Sequence, residues 1–197
     1  MSLKAWWVAF IGGLAVLVLI ALSIARMYGP SRPASPSDEP VASASSTTKE
    51  TAHITATLFF GSPDGQSLVP MRRDVQLAET VVEQGRQIVV AQLMEVAPAP
   101  YVSVIPSGTM LRAFYVTERG DAFVDLSSDV VRAHPGGSLN ELLTVYAIVN
   151  AVTANLPAAR RVQILVDGKE ADTIAGHVDL RRPLTRDESL VRDSDEK

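Results

Sequence analysis

The chain has 197 residues, 47% of them hydrophobic, and a formal net charge of −4 at pH 7. This length allows one domain with flanking segments, and the small negative charge gives no electrostatic basis for binding nucleic acid. Because the sequence has no cysteine, it excludes a disulfide scaffold, a thiol nucleophile, thiolate metal sites and a lipidated N-terminal cysteine.

The chain begins with a long apolar segment. Residues Ala5 to Ile24 carry no charged side chain, and about 20 such residues are enough for a helix to cross a bilayer. The alternative is a cleaved secretory signal, because Ser23-Ile24-Ala25 resembles a cleavage site. However, the run is longer than the apolar part of a signal peptide. We therefore predict a retained, single-pass transmembrane anchor in residues 1–28.

The segment that follows the anchor is rich in proline and serine. Such a composition cannot bury a core, and it predicts an extended linker over residues 29–50. A folded domain is then expected over residues 51–186. Residues 187–197 are charged and are predicted to form a disordered tail.

The first half of the domain reads as two extended segments and a helix. Apolar residues alternate from Ile54 to Phe60, and a second extended stretch runs from Leu68 to Val75. A helix is predicted over Ala78 to Val96. Gly85 falls on its apolar side, where it lowers helix stability or admits a close neighbour. The residues expected to form its core stripe are Val81, Val82, Val89, Leu93 and Val96.

A hairpin and a second helix make up the rest. Met110 to Thr117 and Ala122 to Leu126 form two strands around a Gly-containing turn. Ser138 and Glu141 have the spacing of a capping box, which predicts the start of a helix. A strand follows at Val162 to Val166.

The outer face of this second helix is small and neutral. Such a stripe suits close approach by another surface, so we predict an interface with a second subunit or an envelope protein. The alternative is that a neighbouring segment of the same chain, the Pro98 to Pro106 loop, covers it. The stripe consists of Asn140, Thr144, Ala147, Ala151 and Asn155.

The sequence shows no catalytic, metal-binding or cofactor-binding set. His177 and Asp179 share a strand face, but a structural role is favoured over a metal site. Asp121 and Asp125 resemble paired carboxylates, but a turn residue and a strand-end cap explain them better.

Three arginine pairs lie on different elements of the domain. If they converge, they form a binding site for an acidic polymer such as a cell-wall glycan; otherwise they are scattered surface charges. The pairs are Arg72 and Arg73, Arg160 and Arg161, and Arg181 and Arg182.

From Thr55 to Leu184 the chain resembles the GerMN domain family, named for a bacterial sporulation and germination protein. The resemblance is carried by short motifs in a fixed order. They are Leu68-Val69-Pro70, Pro106-Ser107-Gly108-Thr109, Val124-Asp125-Leu126-Ser127, Gly136-Gly137-Ser138, Tyr146-Ala147-Ile148-Val149-Asn150, Val162-Gln163-Ile164-Leu165-Val166-Asp167-Gly168 and Gly176-His177-Val178-Asp179-Leu180-Arg181-Arg182-Pro183-Leu184.

The resemblance implies an α+β fold in which two helices pack on a mixed β-sheet, similar to ring-building modules, after one transmembrane helix. Members of this family are usually anchored by a membrane segment or by a lipid and face outward from the cytoplasm. The function expected from the sequence is a non-enzymatic, membrane-tethered assembly module of the bacterial cell envelope, with an extracytoplasmic domain. Its expected partners are the membrane and a second copy or an envelope protein, and no cofactor or nucleic acid. The alternative is a domain that binds peptidoglycan or another cell-wall polymer.

Overall fold

A computed structural model describes residues 52–192 of the chain. These residues belong to one compact unit. The predicted transmembrane anchor and linker, and residues 193–197 of the predicted tail, lie outside the described residues. Within residues 52–192, no helix is both long and apolar enough to cross a membrane.

Six strands and three helices are present within residues 52–192, which confirms the α+β fold class. The strands are β1 (His53–Gly61), β2 (Leu68–Gln76), β3 (Leu111–Val116), β4 (Asp121–Leu126), β5 (Arg161–Val166) and β6 (Lys169–Glu170). The helices are α1 (Val81–Met94), α2 (Asp129–Arg132) and α3 (Ser138–Asn155). The predicted hairpin corresponds to β3 and β4.

The strands form two sheets rather than one. β1 and β2 pair antiparallel as a separate two-stranded sheet. The other sheet has the order β3-β4-β5-β6, and it is mixed because β4 and β5 run parallel while the outer pairs are antiparallel. Helices α1 and α3 pack with both sheets around a common apolar core.

The two sheets stay separate because side chains occupy the outer edge of β1. The N–H of Thr57 donates to Asn155 Oδ1 and its carbonyl accepts from Asn155 Nδ2, both at 2.8 Å. Gln92 bonds the N–H and carbonyl of Phe59 in the same way, again at 2.8 Å. Gly61 makes two backbone hydrogen bonds with the loop after α1. A strand has one N–H and one carbonyl per residue to satisfy, and these contacts satisfy the outward groups of Thr57, Phe59 and Gly61 without another strand.

The glutamine contacts with the β1–β2 sheet also decide which side of α1 is buried. The core stripe predicted for this helix is therefore wrong in part. Val81, Val82 and Val96 are 48%, 39% and 83% exposed. Val96 lies beyond the end of α1 at Met94. Val81 and Val82 are exposed because the helix is rotated from the predicted orientation, since two glutamine side chains reach the backbone of the β1–β2 sheet. The residues that α1 buries are Gln84, Gly85, Ile88, Val89 and Gln92.

Gly85 admits a close neighbour, which is one of the two roles predicted for it. A Cβ atom at this position would overlap the ring of Phe114 in β3. Phe114 is only 2% exposed, so its ring has little room to move. The glycine therefore lets α1 lie directly against the four-stranded sheet.

The predicted interface stripe of α3 lies largely in the core, so that prediction is wrong. Thr144 is 1% exposed, and Ala147 and Ala151 are fully buried. The Thr144 hydroxyl bonds the carbonyl of Val104, so the Pro98 to Pro106 loop covers this end of the stripe, as the alternative predicted. At the other end, Asn155 bonds β1. Asn140 is exposed, and a single exposed residue does not make an interface.

Residues 187–192, predicted to belong to a disordered tail, are bonded to the domain instead. The buried side chain of Asn150 in α3 donates to the carbonyl of Asp187 at 2.9 Å and accepts from its N–H at 3.1 Å. Farther on, the backbone N–H of Leu68 donates to the carbonyl of Leu190, and the backbone N–H of Arg192 donates to the carbonyl of Leu68. These contacts need buried partners distant in sequence, so charge composition alone misled the prediction.

Candidate interaction surfaces

The capping box predicted for α3 is wrong, because Glu141 has a different role. The N-cap of α3 is Gly137, no side chain caps the helix, and Ser138 is already helical. Glu141 is fully buried. Its Oε1 accepts the N–H groups of Ile174 and Ala175 at 2.8 Å each, and its Oε2 accepts the N–H of His177 at 2.7 Å.

The environment of Glu141 keeps its carboxylate charged. Burial raises the pKa of Glu141, but backbone N–H groups of the 174–178 segment outweigh burial and hold the pKa below its ordinary value. His177 Nδ1 lies 3.1 Å from the carboxylate. The carboxylate is thus the centre around which the segment after β6 folds, and it is fully occupied by the chain's own groups.

His177 and Asp179, the pair considered as metal ligands, both bond other side chains of the domain. His177 contacts Glu141, and Arg181 makes two hydrogen bonds to the carboxylate of Asp179, at 2.9 and 2.8 Å. The hydrogen bonds from Arg181 lower the pKa of Asp179. In the part of the chain that the structure describes, no group of three or more His, Asp or Glu side chains is arranged to hold a metal ion.

The two hairpin aspartates pair with arginines and not with each other. Asp121 lies 2.7 Å from Arg161. Asp125 is 7% exposed, contacts Arg112 at 3.2 Å, and accepts the N–H of Gly168 at 2.7 Å. Both carboxylates therefore hold the ends of strands in place.

The three arginine pairs are divided between the two sheets. Arg72 and Arg73 lie on β2, whereas the pairs at residues 160–161 and 181–182 flank the bridge between Val162 and Leu184 beside β5. Three of the six arginines have acidic partners: Arg73 pairs with Glu95 at 3.0 Å, and Arg161 and Arg181 pair as described above. The pairs at β5 are near each other in the fold, and the pair on β2 belongs to a different surface.

A groove with a volume of about 580 Å³ lies between β1 and the C-terminal segment. Its charged side chains are engaged. Arg186 lies 3.4 Å from Glu188, and Arg192 lies 3.2 Å from Asp64.

An apolar ridge on α1 is the surface that the sequence-based prediction missed. Residues four apart are neighbours on a helix, so Val82, Arg86, Val90 and Met94 form one row. The three apolar members are 39%, 41% and 68% exposed. We call this row the α1 ridge. Its signal in the sequence is that apolar residues occur on every side of the helix while Gln84 and Gln92 share one side, which is the buried one.

Comparison with known proteins identifies the fold and the family. A family model described as "Germane: Sporulation and spore germination" matches residues 57–172. The first GerMN domain of the sporulation protein GerM from Bacillus subtilis is 17% identical, with a TM-score of 0.54, over 68% of this chain and 98% of that one. The structure of both tandem GerMN domains of GerM gives 16% identity and the same TM-score, over 69% of this chain and 46% of that one.

A third match, to a candidate lipoprotein from Clostridium perfringens, has 21% identity and a TM-score of 0.49, over 69% of this chain and 89% of that one. No curated protein matches the chain. At these identities the structural likeness shows the fold alone. The family model, in contrast, covers more than half of the chain, and it confirms the resemblance seen in the sequence. This chain therefore belongs to the Germane family of sporulation and spore germination domains, which includes the GerMN domains.

Proposed function

We propose that this protein is a non-enzymatic, membrane-tethered assembly module of the bacterial cell envelope, and that the α1 ridge binds its protein partner. The ridge is the observation that carries the proposal. Helices of soluble domains turn their apolar side inward, and α1 buries two glutamines while exposing Val82, Val90 and Met94. A fold that departs from the usual pattern in this way does so most often at a functional surface.

The sequence outside the described residues supports the tether. The uncharged run from Ala5 to Ile24 has the length of a membrane span, and a Pro- and Ser-rich linker separates it from the domain. The folded domain follows this run in the sequence. The outward orientation common in this family then gives an extracytoplasmic domain.

Burial of the ridge favours such a contact. Fully burying an exposed valine or methionine side chain contributes about 1.5–3 kcal/mol, and a partner that covers the ridge gains the part of this that belongs to the 39–68% of each side chain still exposed. Arg86, in the middle of the row, adds a polar contact that helps to select the partner. A protein surface with an apolar groove and an acidic group suits this arrangement.

The proposal predicts that Val90→Glu abolishes partner binding without unfolding the domain. Val90 is 41% exposed, so the charged side chain reaches solvent in the free protein but would be buried in a complex, at a cost of several kcal/mol. A photo-crosslinking residue at Met94 of the full chain, expressed in native membranes, should give a discrete adduct that Val90→Glu removes.

Val131→Glu is the matched control, because Val131 is also helical and is 40% exposed, but lies on α2. This variant should keep the adduct. The loss of the adduct in both variants, or in neither, would contradict the role of the ridge. If Met94 gives no adduct while the protein sediments with purified peptidoglycan at low salt, the polymer-binding alternative replaces the proposal.

A further inference from the structure

The two edges of the β1–β2 sheet differ. The outer edge of β1 is closed from Thr57 to Gly61, and the other edge of this sheet is β2. Along β2, the backbone N–H and carbonyl groups of one residue point toward β1 and those of the next residue point away from it, in the plane of the sheet. The bonds of Leu68 to the C-terminal segment show that even-numbered residues face outward, as does the bond from Gln84 Nε2 to the carbonyl of Gln76 at 3.2 Å.

Several outward groups of β2 have partners, and the N–H groups of two central residues remain. Leu68 is bonded at one end, the carbonyl of Gln76 is bonded at the other, and Pro70 has no N–H to satisfy. Arg72 and Asp74 lie between them and are exposed. Within residues 52–192, no group accepts a hydrogen bond from the N–H of either one.

We propose that this edge pairs with the same edge of a second copy of the chain, antiparallel and across a two-fold axis at Arg73. In this register Arg72 lies opposite Asp74 of the second copy, and Asp74 lies opposite Arg72 of the second copy. In each pair the two N–H groups donate to the opposing carbonyls; the Arg72 carbonyl, which already accepts from its own Arg73 at 2.9 Å, accepts the new bond with its second lone pair. The pair also brings opposite charges together, which stabilises neighbouring strands. The inference goes beyond the proposed function, because it concerns a different surface.

The ends of the register fit as well. Pro70 lies opposite Gln76 of the second copy. Pro70 cannot donate a backbone hydrogen bond, and the Gln76 carbonyl that would receive one already accepts from Gln84. The two copies of Arg73 meet at the axis, but each is neutralised by its own Glu95 at 3.0 Å and lies over its own Phe60 at 5.7 Å. In this register no backbone N–H faces another N–H, and the like charges at Arg73 are each paired within their own copy.

The register can be tested by charge reversal in the full chain, solubilised in detergent. Arg72→Asp places Asp opposite Asp at both symmetric positions, and Asp74→Arg places Arg opposite Arg at both. The dissociation constant for self-association should therefore rise at least about tenfold in each variant alone. A mixture of the two variants restores both opposite-charge pairs. Tagged Arg72→Asp protein should therefore retain untagged Asp74→Arg protein, and neither should retain itself.

Arg119→Asp, in the exposed turn between β3 and β4, is the control for the change in net charge and should associate like the parent. A mixture that associates no better than the single variants would overturn the proposal. So would loss of association in the Arg119→Asp control. Neither result bears on the α1 ridge, whose test uses a different partner and different residues.

Single cysteines report the same register, because the natural chain has none. Residues 73 face each other at about 4.5 Å between Cα atoms, within reach of a disulfide. Arg73→Cys should thus crosslink on mild oxidation. In Met71→Cys, the two cysteines are four residues out of register, about 13 Å apart, and should not crosslink. Equal crosslinking of both variants would overturn the register. Crosslinking of Arg73→Cys only after residues 193–197 are deleted would assign the edge to the chain's own tail and overturn the proposal.

Discussion

Glu141→Gln is expected to lower the free energy of unfolding by about 2–4 kcal/mol, because a hydrogen bond to a buried charged group contributes about 1.5–3 kcal/mol. The amide keeps one oxygen for Ile174 and Ala175, but its NH₂ group then faces the N–H of His177. Two donors would oppose each other in a buried site. Chemical denaturation followed by circular dichroism measures the change.

Glu118→Gln, in the exposed hairpin turn, removes a carboxylate without a buried partner and should change stability by less than about 0.5 kcal/mol. If Glu141→Gln were as mild as this control, the carboxylate would not organise the 174–178 segment.

The same carboxylate predicts a pH dependence. Its pKa is lowered in the folded protein from an ordinary value of 4.5, so the folded state binds this proton less readily than the unfolded state. The stabilisation from Glu141 is therefore fully present above about pH 4.5 and is lost as the pH falls through the folded pKa. The difference in stability between the parent and Glu141→Gln should shrink as the medium is acidified below that pH. A difference that stays constant would mean that another interaction causes the loss.

Gly85→Ala is expected to destabilise the domain by about 1–2 kcal/mol, although alanine is the better helix former. The gain in helix propensity is about 1 kcal/mol, but forcing an atom into a packed core costs about 1–3 kcal/mol, occasionally more. Here the new Cβ would overlap the buried ring of Phe114, so we expect the packing cost to prevail. Urea unfolding of the variant measures the net effect.

A double-mutant cycle identifies the cause. In a Phe114→Leu background the smaller side chain leaves room for the new methyl group, and Gly85→Ala should cost less there than in the parent. An equal cost in both backgrounds would show that the Phe114 ring is not the obstacle.

Local signals were sufficient to predict most of the elements. β1 alternates apolar and polar residues, the β3–β4 hairpin has its glycine in the turn, and α3 has a long apolar pattern. In each of these elements the pattern that identifies it lies within a short stretch of chain. The family resemblance then supplied the order of the elements.

The orientation of α1 could not be predicted because its partners are remote. Gln92 is bonded to Phe59, 33 residues earlier in the chain, and no periodicity records such a pair. Polar amides are normally placed on the wet side of a helix. When an amide has two backbone groups to satisfy, burying it is favourable, and the apolar residues on the other side are exposed as a result.

Glu141 shows the same limit at a single residue. Ser138 and Glu141 have the spacing of a capping box, and the pattern looks the same whether the carboxylate bonds its own helix or another segment. Three N–H groups more than 30 residues away converge on it. Several charge-assisted bonds outweigh the single one available at the helix start.

The closed edge of β1 also sets the stoichiometry of any pairing through this sheet. An assembly that grows strand by strand needs two free edges on each copy, since one accepts the preceding copy and the other receives the next. Asn155, Gln92 and Val102 occupy the outward backbone groups of Thr57, Phe59 and Gly61, so along most of β1 this sheet can be extended only at β2. An isologous pair uses up that side in both copies and leaves none for a third. Pairing through this sheet therefore ends at two chains, and it cannot propagate into a filament.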